Sequence, residues 1–297
     1  MPRTLRLPYF DILLDQIAQG KRDITTAFGR HIHWGYWDAS SPADGTMSDF
    51  ARAAERMSHR VTEAAGVRNG QRILDVGCGF GGTVAGLDER LDDVELFGLN
   101  IDPRQIERAR TTINPRPRNV VSFVEGDACE MPFDDASFDV VLALECAFHF
   151  PSRARFFEEA ARVLRPGGSL AICDIVPSER GVALLAMKDL LFSGYVERMV
   201  GHTDLSCTVA GYRALARAAG LTVRVDEDVT SNTLPTYPIL RDVARQTGVH
   251  TLTALWGTGG MQVLSRLGLL RYVILSFDKP RAAAPAIVLE EPAVDAA

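Results

Sequence analysis

The stretch Ile73-Leu74-Asp75-Val76-Gly77-Cys78-Gly79-Phe80-Gly81-Gly82 is typical of a buried strand, a glycine turn and the start of a helix. Apolar residues at 73, 74 and 76 favour a central strand. The glycines permit positive φ and lack the Cβ atoms that would keep a ligand away from the backbone. A helix that begins there directs its free N–H groups towards the ligand. We therefore expect a ligand site at the end of this strand.

Asp75 is an acidic residue on this apolar strand, directly before the turn. A buried carboxylate needs a partner, such as a ligand amine, a hydroxyl or backbone N–H groups. The glycines match the Gly-x-Gly-x-x-Gly dinucleotide fingerprint, which by itself is weak. A nicotinamide enzyme usually has an acid about 20 residues further on, for the ribose. Here the second strand ends at Asn100, and Asp102 is better placed as a helix cap.

Short apolar runs alternate with helical patterns from residue 71 onward. Because these runs are continuously apolar, they favour a parallel sheet that is covered on both faces. We predict a doubly wound α/β core with a seven-stranded, mostly parallel sheet. The predicted strands are residues 72–76, 94–100, 120–125, 138–144, 169–175, 221–229 and 271–277.

The composition is that of an ordinary globular protein, with 46% hydrophobic residues and a formal net charge of −6. The chain has no block of Lys and Arg, which disfavours a nucleic-acid substrate. No apolar run reaches the roughly 18 residues of a membrane span, and the start lacks the apolar core of a signal peptide. The five cysteines form no Cys-x-x-Cys pair, so we expect free thiols, a cytoplasmic location and no metal site.

Further motifs follow the later strands. Glu125-Gly126-Asp127-Ala128 ends the third strand, and Leu164-Arg165-Pro166-Gly167-Gly168 leads into the fifth. With the glycine turn, this series resembles class I S-adenosylmethionine-dependent methyltransferases over residues 71–177. Within that class the chain is similar to rebeccamycin-type sugar O-methyltransferases and tocopherol-type C-methyltransferases. The similarity extends to His33-Trp34-Gly35-Tyr36-Trp37 and to Leu144-Glu145-Cys146-Ala147-Phe148-His149-Phe150.

The resemblance implies a Rossmann-like methyltransferase fold with helical cap and lid insertions, and it divides the chain into five predicted regions. These are an N-terminal helical cap with an aromatic loop (1–70), the cofactor-binding core (71–177), a lid insertion (178–205) with a helix over 182–200, the remainder of the core (206–280) with a helical insertion (234–267), and a flexible tail (281–297).

S-adenosylmethionine is the cofactor that the resemblance implies. Its methionine moiety would lie on Gly77 and Gly79, with Asp75 ordering the turn and its contacts to the amine. Asn100 would bind the ribose hydroxyls, although many relatives have an acid at this position. Gln105, on the helix that follows, belongs to the same predicted set of cofactor contacts.

The same resemblance implies the contacts to the adenine and to the sulfonium. Asp127 would bond the adenine amino group, the Ala128 N–H would bond the ring, and Met131 would pack on the adenine face. Glu145 would lie beside the cofactor amine or sulfonium, where the fourth strand ends. For Asp127 a turn-capping role stays open, and for Met131 simple packing does.

Trp34 and Tyr36 in the aromatic loop are predicted to close over the cofactor, because an aromatic face suits a sulfonium cation. Core packing of an N-terminal segment is the alternative for these two residues and for Trp37.

A hydroxyl acceptor needs a general base, and histidine is the default candidate. His149 is the best placed of the six histidines, since it follows the fourth strand at the edge where doubly wound sheets bind ligands. Asp174, near the end of the fifth strand, is predicted to orient its imidazole. By resemblance, rebeccamycin-type enzymes have two consecutive histidines here, whereas this chain has Phe148 and His149. A packing role for His149 stays open, and His31 and His33 are rival bases.

The favoured function is methylation of a hydroxyl on a small natural product, with an apolar pocket formed partly by Leu190, Leu191, Phe192 and Leu205. C-methylation of a prenyl, quinol or polyketide-type acceptor and a non-methylating scaffold that only binds the cofactor are the alternatives. A nicotinamide oxidoreductase is disfavoured by the motifs after residue 120. The expected partner is a small-molecule acceptor, and a homodimer stays open.

Overall fold

The computed structural model of the protein describes residues 8–184, 203–247 and 251–281. Within these ranges the strands are β1 Arg72–Val76, β2 Glu95–Asn100, β3 Val120–Glu125, β4 Phe138–Leu144, β5 Leu164–Pro177, β6 Thr222–Asp228 and β7 Leu270–Asp278. They form one sheet in the order β3-β2-β1-β4-β5-β7-β6. β7 runs antiparallel to β5 and β6, and the other pairs are parallel. The predicted seven-stranded, mostly parallel sheet is confirmed.

The helices of the described residues are α1 Pro8–Ala18, α2 Arg22–Phe28, α3 Met47–Ala64, α4 Gly82–Arg90, α5 Pro103–Thr112, α6 Arg153–Val163, α7 Val209–Ala218, α8 Thr230–Thr233, α9 Thr236–Thr247 and α10 Thr251–Arg266. α2 and α8 were not predicted from the sequence. Residues 179–184 are helical, and the rest of the predicted lid helix lies outside the described residues, as does the predicted tail beyond residue 281.

β5 is longer than predicted. Residues 165–168 were expected to precede the strand, but they are part of it. Leu164 already pairs with Phe138, and a register shift separates that pair from the regular ladder. Gly167 has φ +85° and donates its N–H to the carbonyl of Lys279 at 2.8 Å. A glycine therefore allows the irregularity without breaking the strand.

β1 lies between β2 and β4, and both of its faces are buried. Ile73 faces an apolar cluster with residues of α3, α4 and α5, including Met57 and Val84. Leu74 faces the opposite cluster, which contains Phe157 of α6 and Tyr212 of α7. The sheet is thus covered on both sides, as the continuously apolar strands predicted.

The aromatic loop is anchored between α3 and the helices after β6. The indole N–H of Trp37 donates to the buried carboxylate of Asp49 at 2.7 Å. Asn232 and Trp37 exchange two further hydrogen bonds, from Trp37 N to the Asn232 carbonyl at 2.9 Å and from Asn232 Nδ2 to the Trp37 carbonyl at 2.7 Å. These contacts fix the aromatic loop against the core at Trp37, so that the residues that precede Trp37 are held in place to line a site.

No helix in the three described ranges has the length and apolar character that crossing a membrane requires.

Replacing Trp37 by Phe should lower the free energy of unfolding by about 1–3 kcal/mol, because the Asp49 carboxylate loses a buried donor. Urea unfolding of both proteins measures the change. The same substitution in an Asp49→Ala background should cost less, since no carboxylate is then left without its donor. An equal cost in both backgrounds would assign the effect to lost packing alone.

Candidate active site

The turn after β1 is built from glycines in the left-handed region. Gly77, Gly79 and Gly81 have φ values of +69°, +56° and +79°. The N–H groups of Gly77 and Cys78 both donate to the carbonyl of Leu99, at 2.8 and 3.1 Å. A Cβ on Gly77 would lie 2.6 Å from the Cβ of Cys146, so no side chain fits there. A Cβ on Gly79 would meet its nearest neighbours only at 3.8 Å, which leaves that backbone open to a ligand.

One cavity surrounds this turn, and most of the predicted site residues line it. They are Asp75, Gly77, Gly79, Asn100, Gln105, Asp127, Ala128, Glu145 and His149. Each lies at or just after the carboxyl end of β1, β2, β3 or β4, or on α5. The cavity is thus at the edge of the sheet where doubly wound folds bind their ligands.

Two buried acids line the cavity. Asp75 is only 3% exposed, and burial raises its pKa to about 8. Burial also raises the pKa of Glu145 to about 8, although hydrogen bonds from Tyr272 and the Trp34 backbone partly offset it. The Trp34 N–H donates to Glu145 Oε1 at 2.9 Å. Glu145 itself has φ +49°, a strained conformation for a non-glycine residue, and such strain is often found at functional sites.

Polar side chains after β2 and β3 line the next part of the wall. Asn100 Nδ2 donates to Gln105 Oε1 at 3.0 Å, and both residues are buried. Asn100 Oδ1 accepts from the backbone N–H of Asp102 at 3.2 Å. The Asp127 carboxylate accepts from the N–H of Cys129 at 2.8 Å. The two side chains are therefore oriented by local contacts before any ligand binds.

Trp34, Tyr36 and Met131 do not belong to the described lining of the cavity. The Trp34 ring stacks on Tyr272 at 5.6 Å, where it belongs to the core, and Tyr36 packs on the same cluster. Met131 is buried in the same apolar cluster as Ala128 and donates its backbone N–H to Glu159. Each of these side chains packs among apolar residues from other elements, and their predicted contacts with the cofactor stay predictions.

His149 lies in a 3₁₀ turn, Ala147–His149, directly after β4. It is 5% exposed, and its Nε2 lies 3.3 Å from the hydroxyl of Tyr9, which also lines the cavity. The two rings stack with centroids 6.1 Å apart. Tyr9 was not predicted as a site residue, because a tyrosine on an amphipathic N-terminal helix carries no signal for a partner 140 residues away.

Asp174 belongs to a buried polar network. Its carboxylate accepts from the Tyr212 hydroxyl and from the N–H of Ile175, the latter at 2.8 Å. Arg153 donates from Nε to Tyr212 at 3.0 Å and pairs with Asp204. Burial raises the pKa of Asp174 to about 6, with Tyr212 and Arg153 opposing the rise. A direct pairing of Asp174 with His149 stays a prediction.

Comparison with known proteins identifies the family. A methyltransferase-domain family model matches residues 74–172. The chain is 34% identical to Methyltransferase GfsG of Streptomyces halstedii, over 90% of this chain and 93% of that protein. The chain belongs to the S-adenosylmethionine-dependent methyltransferases. It is also 34% identical to the 27-O-demethylrifamycin SV methyltransferase of Amycolatopsis mediterranei, over 91% of this chain and 94% of that protein.

A solved structure of similar fold is the mycolic acid cyclopropane synthase CmaA1 in complex with SAH, with a TM-score of 0.73 and 15% identity. The match covers 92% of this methyltransferase and 99% of that chain. This likeness agrees with the Rossmann-like methyltransferase fold that the sequence predicted.

The cavity of the methyltransferase fits the cofactor. The open backbone at Gly79 accepts a close-lying ligand, and the buried Asp75 carboxylate is placed for an amine. In the described residues, burial is the cause of the raised pKa of Asp75, with no cation or hydrogen bond to offset it. A cationic ligand group supplies the missing compensation.

Replacing Gly77 by Ala should destabilise the methyltransferase more than Gly70→Ala, because both positions have positive φ but only Gly77 faces a close neighbour. The left-handed conformation costs each variant about 1–2 kcal/mol, and the clash with Cys146 adds about 1–3 kcal/mol. Urea unfolding compares the two. Equal destabilisation would show that the turn tolerates a methyl group.

The raised pKa of Asp75 predicts a pH dependence of stability. Between about pH 4 and about pH 8 the folded state holds a proton that the unfolded state has lost, so the free energy of unfolding falls as the pH rises, by at most about 1.4 kcal/mol per pH unit. Glu145 acts in the same direction. Asp75→Asn should make this fall shallower, whereas Asp134→Asn, at an exposed position, should not. A wild-type slope in Asp75→Asn would contradict the assignment.

Proposed function

We propose that the protein methylates a hydroxyl group of a small natural product, with His149 as the general base. The observation that carries the proposal is the contact between His149 Nε2 and a hydroxyl at the cavity wall, that of Tyr9 at 3.3 Å. Tyr9 stays a neutral phenol, because burial and the nearby Glu145 raise its pKa. An O–H group thus already lies next to this nitrogen.

The cofactor supplies an electrophilic methyl group on its sulfonium when it is bound. The protein's part is to hold the acceptor oxygen and to remove its proton as the new bond forms. An acceptor hydroxyl that takes the place of the Tyr9 hydroxyl could donate to the same Nε2 lone pair. In this arrangement His149 carries its hydrogen on Nδ1 and receives the acceptor proton on Nε2.

Asp174 enters the proposal as a positioning residue. Tyr212 and Arg153 link it to Asp204, whose N–H donates to the carbonyl of Phe148 at 2.8 Å. Phe148 precedes His149 in the 3₁₀ turn. The buried carboxylate therefore acts on the base through the backbone that carries it, and a direct contact with His149 is not required.

The acceptor class rests on the relatives. The rifamycin relative is named for a methyl transfer to an oxygen of a natural product, and this chain matches it along nearly its whole length. The proposed acceptor is accordingly a hydroxyl-bearing polyketide or a sugar attached to one. A cytoplasmic location and the exclusion of nucleic-acid substrates belong to the same proposal. The unpaired cysteine pattern supports the location, and the formal net charge of −6 supports the exclusion.

His149→Ala should reduce turnover by roughly 10²–10⁴-fold, because the acceptor loses its base, while S-adenosylhomocysteine still binds. The acceptor is first identified with methyl-labelled S-adenosylmethionine and a panel of polyketide and glycosylated hydroxyl compounds. Single-turnover rates and calorimetry then separate chemistry from binding.

His59→Ala is the matched control, since His59 lies on α3, pairs with Glu63 and is not part of the described lining of the cavity. Near-normal turnover of His149→Ala would remove this residue from the mechanism. Label transfer to carbon instead of oxygen would favour C-methylation, and binding of the cofactor without transfer to any compound would favour a scaffold.

A further inference from the structure

A chain of hydrogen bonds runs along the wall of the cavity beside the glycine turn. His31 Nε2 lies 2.7 Å from Glu55 Oε2, and His31 Nδ1 lies 3.1 Å from His33 Nε2. His33 Nδ1 lies 3.0 Å from the carbonyl oxygen of Trp34. Both histidines are buried and line the cavity, whereas Glu55 is not part of its described lining. We call Glu55, His31, His33 and the Trp34 carbonyl group the His31 relay.

The two ends of the relay are hydrogen-bond acceptors, and they determine which ring nitrogens are donors. A carbonyl oxygen only accepts, so His33 carries its hydrogen on Nδ1. Burial, with the neighbouring His31, lowers the pKa of His33 to about 3, so this ring is neutral and its Nε2 is an acceptor. His31 therefore donates from Nδ1. At its other nitrogen it faces Glu55 and donates again.

Glu55 is ionised in this arrangement. Burial alone would raise its pKa, but Arg30 pairs with it at 3.2 Å, and the pKa of Glu55 is held below its usual range. A carboxylate accepts and does not donate, so His31 Nε2 carries a hydrogen as well. With hydrogen on both nitrogens, the His31 ring is an imidazolium cation.

This cation lies against the first residue of α4. A Cβ on Gly82 would be 2.7 Å from His31 Nδ1. Glu55 lies one helical turn further along α4, where a Cβ on Gly86 would be 2.5 Å from its Oε1. The positive member of the pair thus faces the cavity, and the negative member lies away from the turn.

The negative charges nearby are shared among several cations. Arg30 pairs with Glu55 at 3.2 Å and with Glu89 at 2.9 Å, and Arg90 also faces Glu55. The His31 side chain is 4% exposed, whereas the Arg30 and Glu55 side chains are 40% and 37% exposed. Water screens the charges of the latter two much more than that of His31. Arg30 and His31 both line the cavity, and the His31 charge is the less screened of the two.

We infer that His31 is held as a cation by the relay and recognises the carboxylate of the cofactor's amino-acid moiety. The buried Asp75 side chain lies one residue before the end of β1 and suits the amine of the same moiety. The cavity therefore presents a cation to the carboxylate of a zwitterionic α-amino acid and an acidic side chain to its amine. Both N–H groups of His31 are used within the relay, so it contributes charge, and the free N–H groups at the start of α4 contribute hydrogen bonds.

This inference rests on use of the cofactor and is independent of the acceptor and of His149. Two probes separate the carboxylate from the rest of the ligand: S-adenosylhomocysteine, and S-adenosyl-3-thiopropylamine, which keeps the amine and lacks the carboxylate. Calorimetry gives the dissociation constants of both for the wild type and for His31→Gln. His59→Gln, on the same α3 as Glu55 but outside the cavity, is the matched control.

We expect His31→Gln to weaken binding of S-adenosylhomocysteine by about tenfold and to leave binding of the thiopropylamine within about twofold. His59→Gln should change neither. Equal weakening of both probes would assign His31 to packing, and no weakening would remove it from recognition. Either result overturns the inference, and neither depends on methyl transfer.

Nitrogen-15 NMR of the wild-type His31 ring tests the relay directly, including the case that His31→Gln does not fold. Two protonated ring nitrogens at neutral pH are the expected result. A neutral ring with one protonated nitrogen would overturn the inference.

Discussion

The backbone turn after β1 is the constraint on which the site depends. Two consecutive N–H groups, of Gly77 and Cys78, donate to the single carbonyl of Leu99 on β2. The Cα of Gly77 lies against Cys146, which follows β4, so closely that a Cβ has no room. The turn therefore joins the carboxyl ends of three neighbouring strands. Side chains that follow those strands, such as Asn100 and Glu145, converge on one cavity as a consequence.

The buried acids of this cavity are not fully compensated by other groups of the protein. Asp75 and Glu145 are buried, and desolvation raises the pKa of each to about 8. His31 lies at the side of the turn and is held by Glu55. Such an arrangement costs stability in the free protein, and a ligand with an amine and a carboxylate offsets that cost. Functional sites commonly combine strain and buried charge in this way.

The N-terminal segment is a structural part of the site. Trp34 shows why: its ring is buried against Tyr272, its N–H donates to Glu145, and its carbonyl accepts from His33. Hydrogen bonds thus run from the half-exposed Glu55 on α3 to Glu145, an acid that lines the cavity. The aromatic residues of the loop support the wall from behind, while α1 provides Tyr9 on its surface.

The bounds of β1, β3 and β4 and the residues that follow the strand ends could be predicted from the sequence alone, because apolar runs bounded by turns define strands and parallel strands bring their ends together. Which distant residues meet there follows only from the three-dimensional packing. Tyr9 reaches His149, Met131 is buried, and Asp174 bonds Tyr212. The physical reason is that helical periodicity indicates which face of a helix is buried but not which residues cover that face. A tyrosine such as Tyr9 on that face fits a core and a cavity wall equally well.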